Sequence, residues 1–185
     1  MVVDRRVEDY RRHQLVASGM GVAFVGKAWK DNVAVVDARG SSLEEVLNSL
    51  KTGVDSLLAG RANAAQQPGA KLYVAAFRKI VPSLSDGHFA MLKAHCRAPN
   101  QSLTATELAG AAGYANYSAV NLQYGLVGKL LWEELPTKLP IGSDGNPIYT
   151  FALAESGDRT GPEAQWVWRM RPELVAALVE LGFDK

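Results

Sequence analysis

Cysteine is nearly absent from this chain: Cys96 is the only one in 185 residues. An internal disulfide is therefore excluded, as is any zinc site built from several thiolates. Long apolar runs are also missing, since no stretch approaches the roughly 20 residues a membrane-spanning helix requires. The N-terminal region, with Asp4, Arg5, Arg6, Glu8 and Asp9, has no signal-peptide core. Histidine is limited to His13, His88 and His95, and no paired metal-ligand spacing, glycine-rich phosphate loop or serine nucleophile elbow occurs. His95 and Cys96 are neighbours, but adjacent helical residues point about 100° apart and cannot form a nucleophile and base by themselves. Cys96 reads as buried core. These absences predict a soluble cytoplasmic protein with no metal, no cofactor and no catalytic residue, and hence not an enzyme.

Net charge is small at +1, and 48% of the residues are hydrophobic, which is ordinary for a chain with a buried core. The distribution of charge is more informative than its total. Residues 71–129 hold six cations, Lys71, Arg78, Lys79, Lys93, Arg97 and Lys129, against Asp86 and Glu107, or +4. Residues 130–185 hold five basic and nine acidic side chains, or −4. A basic middle is expected to attract anions, although scattered solvated faces produce the same count.

The text from His13 to Gly40 is rich in β-formers such as Val22, Phe24 and Val35, and Asp31-Asn32 is a hairpin turn signal. Two or three antiparallel strands are expected. Ser41-Ser42-Leu-Glu44-Glu45 follows, where a serine caps a helix and a glutamate reaches back. Leu43, Val46, Leu47, Leu50, Val54, Leu57 and Leu58 recur at helical spacing, leaving Glu44, Glu45, Lys51 and Asp55 for solvent. Residues 1–60 thus read as a strand-strand-helix unit. Arg61 to Ala70 contains small and polar residues and a Pro-Gly pair, and reads as a linker.

Residues 71–185 form the second domain. A helix over Lys71 to Val81 stops near Pro82, and Ser85-Asp86 caps another through about Arg97. Thr104-Ala-Thr-Glu107 is a capping box with Leu103 and Leu108 as its staple, for a short helix ending near Gly113. Asn116-Tyr117-Ser118 opens a longer helix to about Leu135. Gly125 and Gly128 inside it point to close approach by a neighbouring helix or strand, or by a ligand or nucleic-acid backbone. Ile148–Ala154 and Gln165–Met170 alternate and read as a hairpin, with Glu155 to Ala164 as its tip. Pro172 to Gly182 supplies a closing helix. Helix, short capped helix, glycine turn, longer helix and hairpin is the order of a winged helix-turn-helix, over about residues 85–183. The predicted fold class is α+β: a small antiparallel strand-helix unit followed by a winged helix-turn-helix domain.

Two resemblances add to this reading. The segments Ala98-Pro-Asn-Gln-Ser-Leu-Thr-Ala-Thr-Glu-Leu-Ala, Gly113-Tyr114, Ala119-Val-Asn-Leu-Gln-Tyr-Gly125 and Arg171-Pro-Glu-Leu-Val-Ala-Ala-Leu-Val-Glu-Leu-Gly182 resemble an accessory specificity segment of HNH-type or modification-dependent restriction endonucleases. The histidine-rich metal motif of an HNH nuclease is missing, so the resemblance carries over no nuclease activity. Ala38-Arg-Gly-Ser-Ser-Leu-Glu-Glu-Val-Leu-Asn-Ser-Leu-Lys51 is similar to the strand-to-helix junction of HicB-like antitoxins, which implies a homodimerising N-terminal domain attached to a DNA-binding one.

The expected function is double-stranded DNA binding by a small regulator of transcription or a restriction-associated specificity protein, of phage or mobile-element type. Asn116, Tyr117, Ser118, Asn121 and Gln123, at the start of the third helix of that motif, would meet base edges, since Asn and Gln pair bidentately with adenine. Lys93, Arg97, Lys129 and Arg159 would hold phosphates. Asn116 and Ser118 serve equally well as helix caps, and Gln123 as a solvated surface residue. The alternative is a protein interaction module presenting the hairpin aromatics Trp166 and Trp168 to a partner, and the acidic balance after residue 130 favours it.

Overall fold

Alternation and turn chemistry build the first unit from four strands. The computed structural model describes residues 4–64, 68–160 and 165–185, and the chain divides into Met1–Ala64 and Ala65–Lys185. Strands β1 (Asp4–Tyr10), β2 (His13–Met20), β3 (Ala23–Lys30) and β4 (Val33–Gly40) form an antiparallel sheet in the order β1-β2-β3-β4. Asp31 and Asn32 both have positive φ, as a type I′ hairpin turn requires. The same conformation recurs at Arg11 and Arg12, which are poor candidates for it.

That turn and β1 itself correct the expectation of two or three strands. Asp-Arg-Arg-Val-Glu-Asp-Tyr is too charged to read as a strand, and nothing in Arg-Arg signals a turn. Tertiary contacts decide the matter. Helix α1 (Leu43–Ala64) presents Lys51 and Asp55 one turn apart, and these meet Glu8 and Tyr10, two apart on β1. Lys51 Nζ lies 2.6 Å from Glu8, Asp55 accepts from the Tyr10 hydroxyl at 3.1 Å, and Arg11 Nε lies 2.9 Å from Asp55. Lys51 and Asp55 therefore do not point only to water, as the helical pattern alone suggests.

Apart from His13, which is buried at the start of β2 with its Nδ1 2.7 Å from the Arg11 carbonyl oxygen, the remaining buried positions are apolar. Leu15 and Ala17 of β2 and Phe24 and Ala28 of β3 are buried beneath Val46, Leu47, Leu50, Val54 and Leu58 of α1. Each of the buried valine, leucine and phenylalanine side chains stabilises the unit by roughly 1.5–3 kcal/mol. Gly26 lets the helix come close, because a Cβ there would stand 2.6 Å from Val46 Cγ1. Ser42 Oγ caps α1 by accepting from Glu45 N, while the Glu45 carboxylate accepts from Ser41 N and Oγ at 2.7 Å. Those bonds hold its pKa below the ordinary value. The helix runs on through Arg61-Ala-Asn-Ala64, so the expected linker is shorter at both ends: Ala70 already begins the next helix, and 65–67 lie outside the described residues. Alanine-rich text propagates a helix as readily as it makes a spacer.

The second unit runs α2 (Ala70–Ile80), α3 (Asp86–Arg97), β5 (Ser102–Thr104), α4 (Ala105–Ala112), α5 (Tyr117–Glu134), β6 (Ala154–Thr160), β7 (Gln165–Met170) and α6 (Pro172–Glu180). It is mixed α and β, with an antiparallel sheet ordered β5-β7-β6. Thr104 and Glu107 form the expected capping box, and Gly113 ends α4 in the left-handed conformation at φ 71°. Phe77, Met91, Leu92, Leu108, Tyr124 and Leu178 are among the side chains that fill the core. Phe183, beyond α6, stacks on Phe89 with centroids 5.5 Å apart.

Two features differ from expectation. Leu103 lies on the short strand β5, opposite Trp168. The hairpin pairs β6 with β7, but Ile148–Ala154 is not its first strand: Tyr149–Ala152 is a 3-10 turn, and the polar Ala154–Thr160 is the strand. The alternating Tyr149, Phe151 and Leu153 instead pack locally. Tyr149 meets the edge of Trp132 at 5.6 Å, Phe151 that of Trp168 at 5.4 Å, and Leu153 is fully buried. Backbone pairing to β7 suffices to order β6 despite its polarity. The expected tip residues 161–164 lie outside the described residues.

Gly128 explains how that 3-10 turn reaches α5, since a Cβ there would stand 2.1 Å from the Tyr149 carbonyl oxygen. At Gly125 the nearest atom, Thr150 Oγ1, would be an ordinary 3.8 Å away. Gly128→Ala is expected to destabilise the unit by about 2 kcal/mol through overpacking, while Gly125→Ala stabilises it by up to about 1 kcal/mol through helix propensity. Urea denaturation midpoints of the two variants check this opposition of sign.

Candidate nucleic-acid interface

Helix α5 is held by one buried polar chain and leaves its first turns outside. His95 of α3 is completely buried. Its Nε2–H donates to the Trp168 carbonyl of β7 at 2.8 Å, so its Nδ1 accepts from the Tyr124 hydroxyl of α5 at 2.6 Å. Burial holds His95 below its ordinary pKa, and burial raises that of Tyr124. Cys96 is buried and its thiol is pushed up, first by desolvation and then by Asp184. His95 therefore joins three elements, and Cys96 packs in the core, as expected from the sequence.

A second histidine repeats the arrangement at the other end of α3. Ser85 caps α3 by accepting from His88 N at 3.3 Å, and Ser85 N donates to His88 Nδ1. His88 Nε2–H then donates to Gln123 Oε1 at 2.9 Å. Gln123 is thus turned inward toward α3.

The other expected base-reading residues remain on one side of α5. Asn116 is the N-cap, its Oδ1 accepting from Ala119 N at 3.0 Å, and it is exposed. Tyr117 and Asn121 fall on one helical row, and Ser118 and Leu122 on the next, all exposed. Leu122 is 63% exposed and Leu126, one turn on, 41%. These two leucines were missed because the stripe Val120, Tyr124, Val127 and Leu131 already accounts for a core face. Apolar residues off that stripe were the available signal. At the start of β7, Thr106 Oγ1 donates to Gln165 at 2.9 Å, which ties the hairpin base to α4, and Trp166 beside it is 46% exposed.

The expected phosphate-holding cations are not gathered around this surface. Lys93 Nζ and Arg97 Nε donate to the carbonyls of Lys185 and Asp184, at 3.4 and 3.3 Å. Arg78 and Lys79 face Glu180 and Glu134. Lys129 is half-buried beyond the leucines. Arg159 is paired opposite Trp166 in β6, but its side chain lies outside the described residues. Between Arg97 and Lys129 the only charged residue is Glu107. The basic balance of residues 71–129 is therefore spread over other faces.

Among the described residues, no group of three or more His, Cys, Asp or Glu is placed to hold a metal ion, and no helix is long and apolar enough to cross a membrane. Comparison with family models, curated proteins and solved structures found no match to this chain.

The His95 chain has a pH consequence. The folded state keeps His95 neutral while the unfolded state protonates near the ordinary value of 6.5, so the unfolded chain binds more protons below that pH. The stabilisation is complete above pH 6.5 and is lost as pH falls below it, with a slope no steeper than about 1.4 kcal/mol per pH unit from this group. His95→Phe is expected to lose about 2–4 kcal/mol at neutral pH, because Tyr124 and the Trp168 carbonyl are left unpaired, and to flatten the dependence between pH 6.5 and 5. Thermal unfolding across that range measures both effects.

Proposed function

We propose that residues 85–183 form a winged helix-turn-helix that binds double-stranded DNA through the exposed start of α5. The observation that carries this reading is the side chains left bare there. Tyr117, Ser118, Asn121 and Leu122 project from the helix that follows a capped helix and a glycine turn, with a β-hairpin beyond it. The order α3, β5, α4, α5, β6, β7 and the sheet order β5-β7-β6 support this reading.

In this role Asn121 pairs with an adenine edge, Ser118 and Tyr117 donate to bases or phosphates, and Leu122 covers a C5 methyl group in the major groove. Gln123 does not read bases, because its amide is held by His88. Phosphate neutralisation is slight, with Lys129 and Arg159 as its sources. Specificity rests on base-edge and apolar contact, as suits a small cytoplasmic regulator or a specificity protein of a restriction system.

A protein interaction module is the second reading, favoured by one observation: Tyr117, Leu122 and Leu126 are exposed on a helix that has no charged residue before Lys129. Fluorescence anisotropy with a duplex pool across a salt series separates the two. DNA binding predicts a shallow salt slope of about −2 to −3, corresponding to two or three phosphate contacts. Asn121→Ala is expected to weaken a selected site by about tenfold or more, and a Lys93→Ala/Arg97→Ala variant to leave affinity unchanged. Absence of binding at low salt overturns the DNA reading and leaves the protein partner.

A further inference from the structure

Two consecutive side chains of α5 are bonded to two histidines of α3. His88 Nε2–H donates to Gln123 Oε1 at 2.9 Å, and the Tyr124 hydroxyl donates to His95 at 2.6 Å. His88 and His95 are two helical turns apart in sequence, so they lie on one face of α3, about 10 Å from each other along its axis. Gln123 and Tyr124 leave α5 about 100° apart. Tyr124 belongs to the buried stripe with Val120, Val127 and Leu131. Apolar contacts along that stripe are non-directional and constrain the roll of the helix less sharply than a hydrogen bond does. Gln123 lies off the stripe. Among the described residues, it is the one side chain from Tyr117 to Gln123 with a hydrogen bond to another element.

His88 is itself fixed from behind. It is buried, its Nδ1 accepts from Ser85 N at 3.2 Å, and its backbone N–H donates to Ser85 Oγ at 3.3 Å. The same turn of α3 abuts the turn leading into α5, since a Cβ on Gly87 would stand 2.5 Å from the Tyr114 hydroxyl oxygen. We infer that His88 is a positioning residue: through Gln123 it fixes the direction in which the first turns of α5 project, and so how Tyr117, Ser118, Asn121 and Leu122 meet a ligand. Held at Tyr124 alone, the helix is free to roll about a single bond. A second bond about 100° away around the axis removes that freedom. Base-edge contact needs such control, because a bidentate pair fails within a few tenths of an ångström. The inference rests on the proposed DNA binding for its affinity arm; its exchange arm stands without it.

Amide hydrogen exchange of the full chain, read residue by residue, tests it with two variants that cut one bond from opposite ends. His88→Gln keeps the capping box, because a glutamine there accepts from Ser85 N, but a side chain turned back to the cap no longer holds Gln123. Gln123→Met keeps the length of the side chain and removes its amide oxygen. Each is expected to speed exchange at Asn121, Leu122 and Gln123 or its replacement about threefold to tenfold, the loss of one hydrogen bond, and to leave Val127 and Leu131 unchanged. The double variant is expected to match either single one. Gln123→Glu, which keeps an oxygen for His88, is expected to retain wild-type exchange. Affinity for a selected duplex is expected to fall about tenfold in both cutting variants, while affinity for random duplex and its salt slope stay unchanged; a general loss of stability would not give that split. Unchanged exchange at these three positions overturns the inference, as does equally faster exchange throughout the unit. Selected-site affinity equal to the wild type despite faster exchange also overturns it. If the wild type binds no duplex, the DNA reading falls, and the exchange rates still decide whether His88 positions the helix.

Discussion

The architecture of the second unit depends on a buried hydrogen-bond chain, Tyr124 to His95 to the carbonyl of Trp168. An imidazole in an apolar core is costly unless both nitrogens are satisfied. Here a helix on one side and a strand on the other must stand at hydrogen-bond distance at once. That requirement sets the spacing among α3, α5 and β7 more strictly than aliphatic packing would, because hydrogen bonds fail within a few tenths of an ångström. With α5 held along its middle, its first turns are free to project.

Polar groups play a comparable role in the first unit, at its margin. Lys51 and Asp55 of α1 bind Glu8 and Tyr10 of β1, and Asp55 also engages Arg11 in the adjoining turn. Partly exposed ion pairs contribute little individually. Their effect here is on specificity: they pin an edge strand whose sequence has weak strand preference and hold two arginines in a left-handed turn. The central strands need no such help, because Leu15, Ala17, Phe24 and Ala28 are buried under the helix.

Much of the local organisation was legible in the text. The Ser42 cap, the capping box at Thr104/Glu107, the Asn116 cap, the Gly113 stop and the apolar stripes of α1 and α5 all appear where their residues indicate. The misreadings share a cause. Tyr149, Phe151 and Leu153 alternate as a strand does, yet Gly128 admits their backbone against α5 and the segment curls into a 3-10 turn. Polar β6 showed no strand pattern, yet it pairs because β7 offers it a backbone edge. Among the candidate site residues, Tyr117, Ser118 and Asn121 were legible as exposed, whereas Gln123, Lys93 and Arg97 found partners that periodicity does not reveal.

By itself the sequence determined where the capped helices begin, where Gly113 stops α4, that Asp31-Asn32 reverses the chain, and that no internal disulfide forms. Those features arise from residues within about four positions of one another, where capping and periodicity act. Only the tertiary structure decided that β1 is a strand, that Gln123 belongs to the interior, and that α5 shows an uncharged face. Each depends on groups far apart in sequence: 45 positions from Tyr10 to Asp55, 35 from His88 to Gln123, and 73 from His95 to Trp168. No local pattern encodes such pairs, because a polar side chain does not signal which distant group will satisfy it once water is excluded.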